Sequence, residues 1–428
     1  ACTATRQTTR VCPIVIGGKR IETHATFVHR MPSDHNVSLA TGFHATPDIA
    51  RAAVQNSLDT FRSWSRVSFQ DRAAIVLKAA HLISSKYRSK VQAATVLGQS
   101  KNAWQAEIDC VAEASDFLRF NVKYAEEMYK RQPLTTGNSP LWNMTDYRPL
   151  EGFVTSVSPF NFTAIGVNLA LAPVLMGNVV IWKPSPNALL SNYDMYEIFE
   201  EAGLPPGVIN FVTCEPDVME QEIIKHPSLA GVAFTGSTRV FNRIQKTVAG
   251  SLDTYRNYPR ISGETGGKNF HLLHVSCDIN HAVASTVRSA FEYQGQKCSA
   301  CSRVYVPSSI WPEVKRKLVE ATNALKVGQP DDFSSFVCAV IDKTAFDKVT
   351  GYIAKAKAEG AEVLAGGTAD ASVGYFVQPT ILEVKDPRSV TMREEIFGPV
   401  LTVYVYPDNE WEQLFDLVDS TTQYGLTG

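Results

Sequence analysis

The period of the apolar positions changes along the chain. From Thr46 to Glu127 they recur mostly at helical spacing, most clearly from Phe69 to Ile83 (FQDRAAIVLKAAHLI). Thr46-Pro47-Asp48 reads as an N-cap followed by proline at the first helical position. Arg131 to Pro149 loses periodicity and is rich in Pro, Gly, Asn and Thr, as in a loop or exposed hairpin. From Gly152 short apolar strands alternate with helical stretches. GFVTSVS, NVVIWKPS, GVINFVT and AGVAFTGS are the strands, with helices over Leu189–Ala202 and Pro216–His226 among them. That alternation predicts a parallel sheet in an α/β domain. A second series starts near Lys268, with strand NFHLLHV, helix Ile279–Tyr293, strand RVYVP and helix Trp311–Leu325. The boundary between two α/β domains therefore falls near Arg260–Gly267. No internal repeat or low-complexity tract is visible.

Ala164 to Trp182 is apolar for almost the length of a bilayer span. Asn168, Pro173 and Met176-Gly177-Asn178 interrupt it, and β-branched residues follow, so it reads as a buried helix, a turn and a strand. At 428 residues the chain has room for two or three domains and a substantial core. Lys and Arg number 41 against 43 Asp and Glu, a net charge of −2, which argues against a nucleic-acid partner. Eight cysteines in this length fit a reducing compartment better than a disulfide scaffold. Ala1–Arg10 lacks a secretory core; Arg6, Arg10 and its threonines match the tail of a mitochondrial transit peptide or a plain fragment end.

Several residues carry candidate chemistry. Cys298, in Gly295-Gln-Lys-Cys-Ser-Ala-Cys301, lies between a helix and a strand beside Lys297, which would favour the thiolate. Read alone, it is a nucleophile or an inert small hydrophobe, and Cys298-x-x-Cys301 could instead be a redox pair or half a zinc site. A zinc site would need a second cysteine pair, which is absent, so no metal is expected. In Gly263-Glu-Thr-Gly-Gly-Lys-Asn269, glycines around Glu264 suit either a general base in a cleft or a solvated turn. The stretch is one residue short of a phosphate loop and has Asn269 where Ser or Thr is required. Asn161, in Ser158-Pro-Phe-Asn-Phe-Thr163, offers an amide N–H for an oxyanion. Phe234-Thr-Gly-Ser-Thr238 ends a strand and opens a helix, a place for phosphate. The G-x-G-x-x-G dinucleotide fingerprint is absent. His271 and His274, three apart on a strand, would point to opposite faces and read as structural.

In order, PFNF, VIWKPS, FTGS, GETGGK, GQKCSA, Glu394-Glu-Ile-Phe-Gly-Pro399 and Tyr424-Gly-Leu-Thr-Gly428 resemble the aldehyde dehydrogenase superfamily from roughly Ile14 to Gly428. SPFNFTAIG, ETGGKNFHLLH, RSAFEYQGQKCSA and VGYFVQP are similar to its mitochondrial-matrix branch. That branch oxidises L-glutamate gamma-semialdehyde, the open form of 1-pyrroline-5-carboxylate, to L-glutamate in proline degradation. The resemblance implies two doubly wound α/β domains. A Rossmann-like NAD-binding domain would span 11–130 and 151–262, a protruding oligomerisation loop or hairpin 131–150, and a catalytic domain 263–428. It further implies that Gly428 falls inside the catalytic domain, ahead of the family's substrate-carboxylate loop and oligomerisation strand. A homodimer is implied for the complete protein, with no membrane span.

By the same resemblance Cys298 attacks the aldehyde, Asn161 steadies the thiohemiacetal oxyanion with the Cys298 N–H, and Glu264 activates the water that hydrolyses the thioester. For NAD, Lys183 would bind the adenosine ribose, Gly236 and Ser237 the pyrophosphate, and Glu395 and Phe397 the nicotinamide ribose, with Ser158 lining the cleft. Phe162, Lys297, Ser299 and Glu113 would lie beside the substrate. Many members carry an acidic residue three positions after the Lys183 equivalent; here it is Pro186, so NAD over NADP comes from the branch match alone. Another small semialdehyde, such as succinic semialdehyde, or an impaired chain that only binds NAD or a partner, remain the alternative readings.

Overall fold

The computed structural model describes residues 1–134 and 140–428. Part of the expected loop or hairpin over Arg131–Pro149 therefore lies outside the described residues. The described remainder of that stretch forms no helix or strand.

The helical territory starts as its sequence specifies. Thr46 accepts from the Ile49 N–H, Pro47 takes the first turn, and the helix runs Pro47–Trp64. Ser68 caps Phe69–Ser84 in the same way. Arg88–Gln99 ends at Ser100, a non-glycine residue in the left-handed region at φ 56°. After a short turn, Glu107–Ala112 winds as a π-helix and runs directly into Glu113–Tyr129.

Seven strands form the larger sheet, in the order Arg260–Glu264, Leu229–Thr235, Phe153–Val157, Val180–Lys183, Ile209–Phe211, Ile14–Ile16, Lys19–Ile21. The first five pair in parallel and the last two add antiparallel. The middle strands are buried on both faces, as covered parallel strands are. Thr163–Leu175 and Leu189–Ala202 supply crossovers on one side of Phe153–Val157, and the chain then returns to the other side of that strand. Strand order thus reverses beside Phe153–Val157. At such a switch point the loops after neighbouring strands splay apart and leave a crevice. The second sheet is Asn269–Leu272, Cys301–Pro307, Val400–Tyr406, Thr380–Val384, Glu362–Ala365, parallel except for the last pair. Its apolar core is separate from the large one that runs from Cys12 to Val248. The fold is the doubly wound α/β class read from the sequence.

Ala164–Trp182 is a helix through Pro173, a turn at Gly177 with φ +88°, and a strand. Among the described residues no helix is long and apolar enough to cross a membrane. The two strands before residue 22 that extend the large sheet carry too few residues for a period to emerge. Two expectations need correction. Pro216–His226 is not one α-helix but a short turn followed by a π-helix, Met219–Ile224. His274 lies beyond the strand end and hydrogen-bonds Ser276 in a turn, so the opposite-faces argument holds only for His271.

A small sheet of Arg10–Cys12, Asp34–Phe43 and Thr26–Met31 flanks the first. From it His29 reaches into the interior. Its Nε2–H donates to the Gly98 carbonyl at 3.0 Å and Nδ1 accepts from the Leu190 N–H at 3.4 Å. Full burial pushes this imidazole down to about 4. The unfolded chain then binds more protons than the folded one between that value and the ordinary histidine value. Stability is full above about pH 6.5 and is lost as pH falls toward about 4, by about 3 kcal/mol from this group. Urea melts of wild type and His29→Gln across that window should show the variant less acid-sensitive by that amount; parallel curves would remove His29 from the acid response.

Candidate active site

The crevice at the switch point is a cleft of about 570 Å³. The loop after Phe153–Val157 gives it Ser158 and Asn161, and the loop after Val180–Lys183 gives Lys183 and Pro186. Gly236 and Ser237 follow Leu229–Thr235, while Cys298, Glu395 and Phe397 come from the second half of the chain. Ser158 is fixed by the Trp182 indole N–H at 3.0 Å. Ser237 caps the helix Thr238–Ala249, so the positive end of that helix opens on the cleft. Phe397 holds φ +58° and meets Phe160 edge-on at 5.9 Å.

Cys298 sits on a loop the surroundings force into shape. Tyr293, Gln294 and Gly295 are all left-handed, with φ of 52°, 57° and 65°. Two consecutive non-glycine residues in that region persist only when over-determined. Here the Tyr293 hydroxyl donates to the Gln99 carbonyl at 2.8 Å. The Gln294 amide donates to the Ser100 and Ala339 carbonyls and accepts from the Cys338 N–H. Gln296 accepts from Ile341 N–H at 2.9 Å, and its carbonyl takes the Asn161 amide at 3.1 Å. On the far side Asn269 donates to the Cys298 carbonyl at 2.6 Å, and a Cβ at Gly267 would collide with that same carbonyl. This close approach is one reason for a glycine in GETGGK.

Burial raises the Cys298 thiol, and the Glu264 and Glu395 carboxylates raise it further; the Ser299 N–H and Lys297 oppose them. Glu395 accepts from the Gly267 N–H at 2.9 Å. Glu264 itself is exposed and does not line the cleft; its backbone carbonyl takes the Gly236 N–H. Its carboxylate reaches the thiol through space alone. Asn161 is buried, with its side-chain oxygen unpartnered.

Phe162, Lys297, Ser299 and Glu113 do not line this cleft. Lys297 and Lys101 place their ammonium groups 5.4 and 4.6 Å from the Phe162 ring centroid. Glu113 has one buried carboxylate oxygen without a partner and is pushed up to about 7 by burial, with Asp109 adding to it. Ser299 is exposed. The structure therefore groups eight of the expected residues around one cleft, sets Phe162, Lys297 and Glu113 around a separate buried polar cluster, and leaves Glu264 and Ser299 outside both. Among the described residues no cluster of His, Cys, Asp or Glu is arranged to hold a metal.

The aldehyde dehydrogenase family model matches residues 21–428. The chain belongs to the aldehyde dehydrogenase family. It is 52% identical over 431 residues to the mitochondrial delta-1-pyrroline-5-carboxylate dehydrogenase of Dictyostelium discoideum, covering 100% of this chain and 77% of that one. Against the human mitochondrial enzyme of the same name identity is 48% over 418 residues, covering 97% and 74%. Among solved structures, delta-pyrroline-5-carboxylate dehydrogenase from Mycobacterium tuberculosis bound with NAD superimposes with a TM-score of 0.95 at 42% identity, covering 100% and 78%.

For an aldehyde dehydrogenase motif reading, the residues that went unread are the supports. Gln99, Ser100, Lys101, Asp109 and Gln294 are all buried polar side chains. Gln99, Ser100 and Lys101 stand in a polar run with Asn102, and Gln294 stands in Glu-Tyr-Gln-Gly-Gln-Lys, so each reads like a solvated turn and nothing in the sequence says where it points. Gln294→Leu should orphan the Cys338 N–H and expose the strain at Tyr293. Each orphaned buried group costs roughly 1–3 kcal/mol, so urea melts should register a loss of that size, with slower alkylation of Cys298. A melt and an alkylation rate equal to wild type would remove the loop-clamping role.

Proposed function

We propose that this chain oxidises L-glutamate gamma-semialdehyde to L-glutamate with NAD, in the mitochondrial matrix. The observation that carries this reading is Cys298 and Asn161 together in the lining of one cleft of about 570 Å³. Relatives across the full chain are named for the same reaction, and several are named mitochondrial. The cleft fits the cofactor: Lys183, Arg239 and Lys348 put positive charge along it, and the helix N-terminus at Ser237 faces it. We assign Lys183 to the adenosine ribose, Gly236 and Ser237 to the pyrophosphate, and Glu395 and Phe397 to the nicotinamide ribose.

Cys298 loses its thiol proton to solvent, the Sγ thiolate attacks the aldehyde carbon, and the carbonyl oxygen becomes an oxyanion. The Cys298 N–H and the Asn161 amide stabilise it, the amide using its second N–H while the first stays on the Gln296 carbonyl. Bound NAD supplies the hydride acceptor. The thioester left on Cys298 is hydrolysed by water that Glu264 deprotonates, and Glu264 must swing inward from its exposed position to do so. We assign Phe162 to the substrate's methylene chain and ionised Glu113 to its ammonium group, with Lys297 and Ser299 nearby; all four stand off the cleft, so the substrate must extend past Cys298 to reach them.

We assign residues 11–130 and 151–262 to cofactor binding and 263–428 to the chemistry. A homodimer forms through 131–150 and the neighbouring helix. Phe120 and Tyr124 stand exposed one turn apart on Glu113–Tyr129, and Trp142 and Met144 are exposed after it, an apolar face suited to a second copy.

Two outcomes follow. Cys298→Ser should abolish NADH formation while NAD still raises the melting temperature, and Cys301→Ser should keep most activity. Glu264→Gln should leave a fast burst of NADH before slow turnover. Loss of the burst would move Glu264 to thiol activation, and equal loss in Cys301→Ser would favour a cysteine-pair chemistry. Because Glu113 ionises only as pH rises through about 7, KM for glutamate gamma-semialdehyde should fall across that range. KM for succinic semialdehyde, which has no amine, should not. Glu113→Gln should flatten the profile, and an unchanged profile would dismiss the contact.

A further inference from the structure

The π-helix Glu107–Ala112 carries Asp109 into the interior, where two ammonium groups meet it. Lys101 Nζ lies 2.5 Å from its carboxylate and Lys297 Nζ 3.3 Å. The Lys101 side chain has no exposed surface, and its ammonium also stands 3.5 Å from the centroid of the Tyr293 ring. Lys297 is held from its other side by Glu292 at 3.0 Å, and Glu292 takes Arg288 at 3.1 Å. Lys297 directly precedes Cys298, yet its ammonium is tied into this cluster and does not line the cleft where the thiol is found.

We propose that Asp109, anchored by Lys101, is a positioning residue that with Glu292 clamps Lys297 as a sequestered ammonium, so that an aldehyde in the site meets the Cys298 thiol and no competing amine. This rests on the aldehyde reading of the site. A neutral lysine amine would attack the aldehyde carbon with its lone pair, and the carbonyl oxygen would leave as water to give an imine. An ammonium has no lone pair to use. Burial works to strip the proton from Lys297, whereas Asp109 and Glu292 hold it on and prevail. The other charges facing the cluster are Lys101, which burial draws down to about 8, Glu113 from the following helix and Arg288 on Glu292. Without Asp109, burial and the Lys101 charge would both disfavour the ammonium.

The test is reductive trapping without NAD. Wild type, Asp109→Asn, Glu292→Gln and the double variant Lys101→Met/Asp109→Asn are incubated with succinic semialdehyde and sodium cyanoborohydride. That aldehyde has no amine and does not cyclise to a pyrroline; cyanoborohydride delivers hydride to an imine and fixes it as a secondary amine. Peptide mass spectrometry then reads adduct at Lys297. At about pH 9, Asp109→Asn should carry roughly tenfold more Lys297 adduct than wild type, the change in free amine that one pKa unit gives. The double variant should regain the melting temperature that the unpaired Lys101 charge lowers in Asp109→Asn, yet keep the high adduct. Lower melting with adduct at the wild-type level in every variant means a purely structural cluster and overturns the proposal, as does equal adduct in wild type. If Asp109→Asn does not fold, the double variant and Glu292→Gln give the same reading. Failure of wild type to form NADH would sink the proposed function instead, because the trapping needs neither cofactor nor turnover.

Discussion

One buried turn, Gln99-Ser100, ties the loop bearing Asn161 to the loop bearing Cys298. The Gln99 side chain donates to the Phe160 carbonyl at 2.5 Å and accepts from the Thr163 and Ser191 hydroxyls. Its backbone carbonyl takes the Tyr293 hydroxyl, and the next residue, Ser100, accepts from Gln294 and from the Ala339 N–H. The loop bearing Asn161 and the loop bearing Cys298 are thus referred to one turn of chain. Neither loop belongs to a sheet that could fix it alone. A buried polar network of this kind is worth having only if it is fully satisfied, since every orphan in a low-dielectric interior is costly. Gln99 meets that condition with both of its side-chain atoms. His29 pins the same turn from behind through the Gly98 carbonyl, which ties the small N-terminal sheet to the site some distance away.

The strain in the Cys298 loop follows from where the thiol has to be. A helix ends at Phe291 and a strand begins at Cys301, both committed to the packing of the second sheet. The thiol, however, lies in a crevice built largely by the first sheet. Carrying the chain across takes successive left-handed residues. Glycine relieves only the last of them, at Gly295, where a Cβ would also strike the Gly398 carbonyl. Tyr293 and Gln294 are retained at the strained positions because their side chains supply the bonds that hold the strain. Glycine there would lower the strain and remove the clamp.

Much of this was legible in the sequence. The alternation from Gly152 onward gave the doubly wound class, the cap at Thr46 and the Ser237 start fell where side-chain chemistry put them, and the motifs around Cys298, Asn161, Gly236 and Glu395 converge on one cleft. What stayed hidden has physical reasons. A π-helix keeps nearly the apolar pattern of an α-helix over six residues, so neither Glu107–Ala112 nor Met219–Ile224 announces itself, although the first carries Asp109 into the buried cluster and the second brings Met219, Glu220 and Ile224 to the cleft. The N-terminal strands of three residues are shorter than any readable period. Glu264 reads as a cleft residue because of its glycines, but those glycines serve the Cys298 carbonyl and the Glu395 carboxylate, and the glutamate is left at the rim.

The distribution of charge around Cys298 is uneven in a way the chemistry requires. Burial, and after it the Glu264 carboxylate at the rim and the Glu395 carboxylate in the cleft, raise the thiol's pKa and so favour its protonated form. A thiol in that state is a poor nucleophile and equally a poor target for oxidation. On the other side lie the ammonium groups of Lys101 and Lys297, of which Lys297 draws the thiol's pKa down. They are matched against Asp109 and Glu292 and packed on the Phe162 and Tyr293 rings. Burial and the two carboxylates outweigh Lys297, so the thiol stays raised where the cofactor and the aldehyde carbon meet.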